Sequence, residues 1–381
     1  MKVKVLAILM VLALVLLPVF AGCSPAAAPE PAPAPAPAPD PNGAPEADEP
    51  AEDPQSWNLQ FTTFWPAVDF QVTEGHEVWA KEISDRVAAE TPHTINFAWH
   101  PGGALLGPLE IYEGVAAGAA DLGTTCPNYT PGMFPLTEAF ELPGYNNDNA
   151  LVASVTMHEA WKQSELLQKE YEDVKIMFFW ATGPGDFMTN TPVRTLEDLR
   201  GQQIRAVGGT VPTVEALGAT AVGMPMSDSY ISLDQGIVDG ILAPTDTLKG
   251  FRLAEVTQYI TKTPFVYNII FMKVMNWDTW NSFPPSVQQI FNEVNEKYVI
   301  EYGMLRTDHT VAGQEFAIEE FGHEVFELDA AETARWQDAI SDVVERWIAD
   351  KEAAGLPGQD MVDLVTELDA RFSSEHGGYG Q

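Results

Sequence analysis

Arg205 lies in the segment Gln202–Val207, where period-2 alternation puts Gln203, Arg205 and Val207 on one strand face and Ile204 and Ala206 on the other. The strand runs into Gly208-Gly209, and Thr210 is placed to cap a helix opening at Val211-Pro212. A planar guanidinium grips a carboxylate through two hydrogen bonds, and a helix N-terminus adds free N–H groups and a positive dipole end. That chemistry is capture of a small anion. Spacing alone leaves a second reading level with it, an internal ion pair between Arg205 and an acid such as Asp228 or Asp246.

A second constellation is aromatic: Phe64-Trp65, Tyr129, Phe187, Phe265 and Tyr267, all at expected strand ends. Flat apolar walls with polar tips suit a small organic solute held in a cleft, although core packing explains any one ring equally well. Phe64, Trp65 and Tyr129 are the preferred wall residues because prolines flank them in strand-to-helix loops. Catalytic signatures are absent. There is no G-x-S-x-G elbow, no Walker A loop and no H-E-x-x-H helix; His76-Glu77 and His158-Glu159 each lack the second histidine. Cys126 has no basic neighbour in sequence and reads as an inert buried thiol. No metal site and no cofactor is expected.

The elements that must position these residues alternate. Strands are predicted over 58–63, 93–99, 174–180, 202–207, 221–223 and 238–242, with another carrying Asp121-Leu122-Gly123. Helices are predicted over 74–90, 109–118, 151–167, 211–217 and 228–236. From Pro284-Pro285 a helical pattern runs to about Phe321, long enough to lean across more than one lobe, and two more follow at 330–353 and 359–372. Alternation of this kind predicts α/β architecture. The chain is expected to cross between two lobes near 181–183 and 265–275. That gives lobe 1 as about 55–182 and 271–310, and lobe 2 as about 183–270 and 311–381. The sequence has 381 residues with 55 Asp+Glu against 20 Lys+Arg, a net charge of −35, which excludes nucleic acid and anionic lipid headgroups as partners.

The N-terminus carries an address. Lys2 and Lys4 precede an apolar run from Val5 to Phe20, then Ala21-Gly22-Cys23, the order of a secretory signal over 1–22. A cysteine directly after Ala-Gly resembles the bacterial lipobox, which implies lipidation of Cys23. Residues 23–54 continue as an acidic Ala/Pro-rich linker. Proline repeats favour an extended helix of roughly 3 Å per residue, so the linker would hold the body (55–381) tens of ångströms from the membrane. The expected location is extracytoplasmic, periplasm or cell surface, through a lipid anchor.

Residues 182–209, from Thr-Gly-Pro-Gly-Asp-Phe through Thr-Pro-Val-Arg-Thr-Leu-Glu-Asp-Leu-Arg-Gly-Gln-Gln-Ile-Arg to Gly-Gly, resemble the hallmark of DctP-like solute-binding proteins of tripartite ATP-independent periplasmic (TRAP) transporters. Four further pieces agree in order: His100-Pro101-Gly102-Gly103 with Asp121-Leu122-Gly123, Pro131-Gly132-Met133-Phe134-Pro135-Leu136, Gly236-Ile237-Val238-Asp239-Gly240, and Met275-Asn276-Trp277 with Phe283-Pro284-Pro285. The resemblance spans about 57–350. It implies a two-lobed periplasmic-binding-protein clamshell with a lobe-spanning helix, no enzymatic activity, and a carboxylate ligand clamped by Arg205. The implied partners are a small organic acid and the small and large membrane subunits of a TRAP permease. An ABC-type or sensory binding protein, or an exported hydrolase, are the alternatives.

Departures from the pattern narrow the ligand. After Asp239-Gly240, sialate- and C4-dicarboxylate-binding members place Asn before the proline, and keto-acid binders place Glu-Trp. Here Leu242-Ala243-Pro244 is followed by Thr245-Asp246, which speaks against both chemistries, the metal-assisted one included. Where sialate binders carry a second arginine, Asp186 and Phe187 stand. One cation, with Asp186 and Asp246 as acceptors and no second arginine in the cleft-lining segments, predicts a monocarboxylate with a hydroxyl or amine.

Overall fold

In the computed structural model, which describes residues 53–145 and 149–380, the short apolar segments pair into two sheets. Cys23 and the Ala/Pro linker lie outside the described residues. The chain first lays down β1 (Ser56–Thr63), β2 (Thr94–His100), β3 (Leu122–Thr125) and β4 (Lys175–Ala181). It continues with β5 (Asp186–Thr189), β6 (Gln203–Ala206), β7 (Thr220–Gly223), β8 (Gly240–Ala243) and β9 (Tyr259–Lys262). The last two are β10 (Ile270–Met275) and β11 (Glu324–Glu327). The first sheet has the order β2-β1-β3-β10-β4 and the second β11-β9-β5-β8-β6-β7. Each is mixed: β10 runs antiparallel to β3 and β4, and β5 runs antiparallel to β8 and β9.

Two acids of the recognised motifs start strands in the same manner. Asp121 accepts a hydrogen bond from Gln60 N at 2.7 Å on β1, and Asp239 accepts one from Gln203 N at 2.8 Å on β6. Each carboxylate, just ahead of its own strand, satisfies a backbone donor of the neighbouring strand, which is a structural task.

Of the three crossings between sheets, two, β4 to β5 and β9 to β10, are bonded to one another, and the third, β10 to β11, runs through a long helix. Thr182 N donates to Ile269 O at 2.9 Å, and Ile269 N returns a bond to Thr182 Oγ at 3.1 Å. Beside them runs the long helix Pro285–Phe321, 37 residues and so roughly 55 Å, starting with proline in its first turn and ending at Gly322 in the left-handed region. It packs on the helix Ala150–Gln163 beside the first sheet and on Thr247–Gly250 beside the second.

Close approach is bought with glycine. A Cβ on Gly303 would stand 2.7 Å from Leu151 Cα, and one on Gly313 would stand 2.3 Å from Thr245 O. Backbone cannot swing aside as a side chain can. Gly313→Ala is therefore expected to lower stability by ~1–3 kcal/mol, the usual cost of overpacking, read as a drop in melting temperature. A melting temperature equal to wild type would show that the helix has room to shift there.

The expected division assigned 311–381 to the second lobe, and the structure corrects its end. Helix Ala330–Ala353 does pack on the second sheet's helices, with Trp336 buried against Phe187. The final helix, Gly358–His376, returns to Ala150–Gln163 instead. Asn149 fixes it there, donating to His376 O at 3.0 Å and Tyr379 O at 3.1 Å.

Candidate functional site

β6 delivers Arg205 into the space between the sheets. Its side chain is 1% exposed, Nε donates to Met224 O at 3.1 Å, and Nη1 is buried with no partner. A buried guanidinium with an unsatisfied donor is costly unless something arrives to accept from it. Neither acid considered for an internal pair takes that place. Asp228 hydrogen-bonds Ser227, and Asp246 binds a different arginine.

That arginine is Arg306, on the long helix and 3% exposed, its Nη2 3.1 Å from Asp246 Oδ2. Its Nε and Nη1 are buried and unpartnered, as is Asp246 Oδ1. Both arginines line one narrow cavity of about 20 Å³, walled by Phe64, Trp65, Tyr129, Tyr267 and Phe271. Phe64 stacks on Trp65 with ring centroids 4.0 Å apart, and Trp65 meets Phe271 edge-on at 5.0 Å. The Arg306 guanidinium lies 5.1 Å from the Phe271 ring centre. A wider cavity of about 480 Å³ adjoins it, sharing Phe64, Met226 and Phe251 and bordered by Asp69, Asp246 and His309.

The lobes touch over this cavity. Tyr129 OH accepts from Met226 N at 2.9 Å, and Asn128 lies against Gly208. Burial drives the Tyr129 and Tyr267 hydroxyls well above their usual range, so both stay protonated. Burial, with Glu141 nearby, also pushes the Cys126 thiol up, which keeps it inert.

Several expectations are corrected. Arg306 is the second arginine that the cleft-lining segments were not expected to hold. It was legible in principle, because buried helix positions Val294, Tyr298, Tyr302 and Arg306 recur at four-residue steps. Asp186 does not reach the cavity: it is 2.5 Å from Lys262 Nζ and accepts from Thr263 N at 2.9 Å. Phe187 is core of the second lobe, and Phe265 lines neither cavity, its carbonyl accepting instead from Gly144 N at 2.9 Å. Thr210 is not the helix cap; Gly209 is, while the Thr210 hydroxyl donates to Val207 O at 2.7 Å.

The cap is faced by Glu141 from the other lobe. Glu141 accepts from Ile270 N at 3.3 Å, and its second oxygen borders Gly209. Burial pushes its pKa up to about 8, against opposing hydrogen bonds from Asn128, Ile270 and Gly209. A carboxyl whose pKa is raised in the folded protein contributes stability fully present below its unfolded value of 4.5 and lost as pH rises through about 8. Glu141→Gln is thus expected to match wild type in melting temperature near pH 5 and to exceed it near pH 9. Parallel melting curves at both pH values would refute a buried acidic Glu141.

Two lobes joined by paired crossings around a cavity of arginines and aromatics define a solute-binding protein of the periplasmic, two-lobed type. A family model described as bacterial extracellular solute-binding protein, family 7 (DctP), matches residues 67–351. The chain belongs to that family, whose members capture solutes rather than transform them. It is 27% identical over 270 residues to the C4-dicarboxylate-binding periplasmic protein DctP of Rhodobacter capsulatus, covering 69% of this chain and 80% of the relative. A TRAP solute-binding protein from Rhodoferax ferrireducens, solved with copurified benzoate, matches with TM-score 0.78 and 25% identity over 84% of this chain and 99% of its own. An open TRAP periplasmic solute-binding protein from Desulfovibrio salexigens matches with TM-score 0.71 and 30% identity over 84% and 97%. Among the described residues, no helix is long and apolar enough to cross a membrane and no group of three or more His, Cys, Asp or Glu is placed to hold a metal ion.

Proposed function

We propose that this protein is the extracytoplasmic receptor of a TRAP transporter: it captures a small organic acid, clamps the carboxylate with Arg205, and delivers it to the small and large membrane subunits of the permease. The observation that carries this reading is the buried, unpartnered Nη1 of Arg205 in a cavity walled by aromatic rings. Free donors of a guanidinium suit a carboxylate, and flat walls suit a compact organic body. The solved TRAP relatives support the transporter class, and the one from Rhodoferax ferrireducens holds an aromatic acid. Phe64, Trp65, Tyr129 and Tyr267 are the proposed walls.

The reading extends to the N-terminus: Cys23 carries a lipid anchor and residues 23–54 are the tether. A thermal-shift screen of the purified protein against a carboxylate library tests the receptor role, since a ligand bound only by the folded state raises the melting temperature. No shift across mono-, di- and keto-acids at millimolar concentration would overturn it. Metabolic labelling with an alkyne fatty acid tests the anchor. Label is expected on the wild-type chain and lost in Cys23→Ser, and an unlabelled wild type would refute the lipid.

A further inference from the structure

The pair formed by Arg306 and Asp246 is bonded through one contact only, although both side chains are buried. An Arg–carboxylate pair frequently closes two parallel bonds. Here a single 3.1 Å contact leaves Arg306 Nε and Nη1 and Asp246 Oδ1 without partners, alongside Arg205 Nη1. Three donors on Arg205 and Arg306, which line the smaller cavity, and one acceptor on Asp246, which lines the wider one, are thus held out of water. Each unsatisfied group carries a desolvation cost that an incoming ligand can relieve.

Charge and hydrogen-bond inventory then specify the visitor. Two guanidinium groups and the Asp246 carboxylate leave a net +1, which one ligand charge neutralises. The pKa of Asp69, which also lines the wider cavity, is pushed up to about 7 by burial, so Asp69 carries only part of a charge at neutral pH. A second ligand carboxylate would meet Asp246 as a like charge. The orphaned Asp246 oxygen can only accept, so it calls for an O–H or N–H on the ligand. The walls call for a flat apolar remainder. Resting on the reading of this cavity as the ligand site, we propose that the Arg306–Asp246 pair is its specificity determinant, selecting a flat mono-anion that carries a hydrogen-bond donor beside its carboxylate, and that Asp246 is the residue that rejects dicarboxylates. The donor satisfies Asp246 Oδ1 while the ligand carboxylate takes the free donors of Arg306 and Arg205.

Phenylacetate, mandelate and phenylmalonate test this, because they share a ring and differ only in hydrogen, hydroxyl or carboxylate at one carbon. In calorimetric titrations, the wild-type protein is expected to bind mandelate at least tenfold more tightly than either of the others. Asp246→Asn should cut the advantage over phenylacetate severalfold, because a neutral amide oxygen accepts more weakly than a carboxylate. It should also strengthen phenylmalonate about tenfold or more, because the like charge is gone. Asp246→Glu should keep the wild-type order. If Asp246→Asn does not fold, Asp246→Asn with Arg306→Gln removes both charges and should also cut the hydroxyl preference.

Wild-type protein that binds phenylmalonate as tightly as mandelate, or none of the three, overturns the proposed class. Unchanged affinity ratios in Asp246→Asn overturn the role of the pair. The underlying ligand site is judged separately by Arg205→Ala. If that variant binds all three like wild type, the cavity is not the site; if it loses them while Asp246→Asn leaves the ratios unchanged, the site stands and only the specificity assignment falls.

Discussion

Arg205→Ala is expected to weaken binding of the best ligand by ~2–5 kcal/mol, between thirtyfold and several thousandfold in Kd, because it removes a charge-assisted pair and strands the ligand's carboxylate in a dry cavity. The variant should fold. The side chain makes one hydrogen bond, to Met224 O, and leaves Nη1 unpartnered, so the protein without ligand loses little with it. Lysine should restore only part of the affinity, since a point charge cannot reproduce the planar fork. Titration calorimetry on wild type, Arg205→Ala and Arg205→Lys measures this. An alanine variant within threefold of wild type would end the assignment of Arg205 as the carboxylate clamp.

The second large effect is expected at Gly208. Its φ is +50°, in the left-handed region, and a Cβ there would lie 1.7 Å from Asn128 Oδ1 and 2.7 Å from Asn128 Cβ. Asn128 belongs to the segment after β3 and Gly208 follows β6, so this contact joins the two lobes. The side-chain amide could rotate away, but the Asn128 Cβ is fixed to backbone. Gly208→Ala should therefore hold the lobes apart and weaken ligand binding about tenfold or more, beyond the ~1 kcal/mol that an alanine pays for the left-handed conformation itself. Small-angle scattering reads the first effect. Saturating ligand should shrink the radius of gyration of wild type and leave that of the variant larger. Asn128→Gly in the same chain should recover much of the affinity, and a failure to recover any would place the damage in the backbone of β6.

Residues that follow one rule throughout were the readable ones. The long helix was legible because Pro284-Pro285 opens it and its apolar positions keep helical spacing to Phe321. Arg205 was legible because strand parity and the following glycines point the same way. β5, β9 and β11 each set two apolar residues side by side among polar ones, so no period-2 alternation like that of β6 marks them. β10 is hidden for a different reason. Lys273 interrupts its apolar run, yet that lysine is fully buried, its Nζ 3.6 Å from the Trp79 ring centre and within reach of Phe61, Phe178 and Tyr302. Burial lowers its pKa well below the ordinary value. Arg306 was missed on the same ground, a cation on a face that hydropathy assigns to core. In both cases the partner that makes burial tolerable comes from a distant segment, and no local pattern announces it.

The position of β10 in the first sheet has a bearing on how the chain reaches its folded state. Among the described residues β4 has no sheet neighbour other than β10, and β10 is also the strand that joins β4 to β3. Residues 175–181 therefore wait for residues 270–275, almost a hundred positions later, before they can pair. Such long-range pairing pays its loop-closure entropy before any contact rewards it, and so it forms slowly. A nascent chain cannot complete its first lobe while the second is still being made. Under the extracytoplasmic role proposed above, a first sheet keyed to a late strand keeps the chain from collapsing before export.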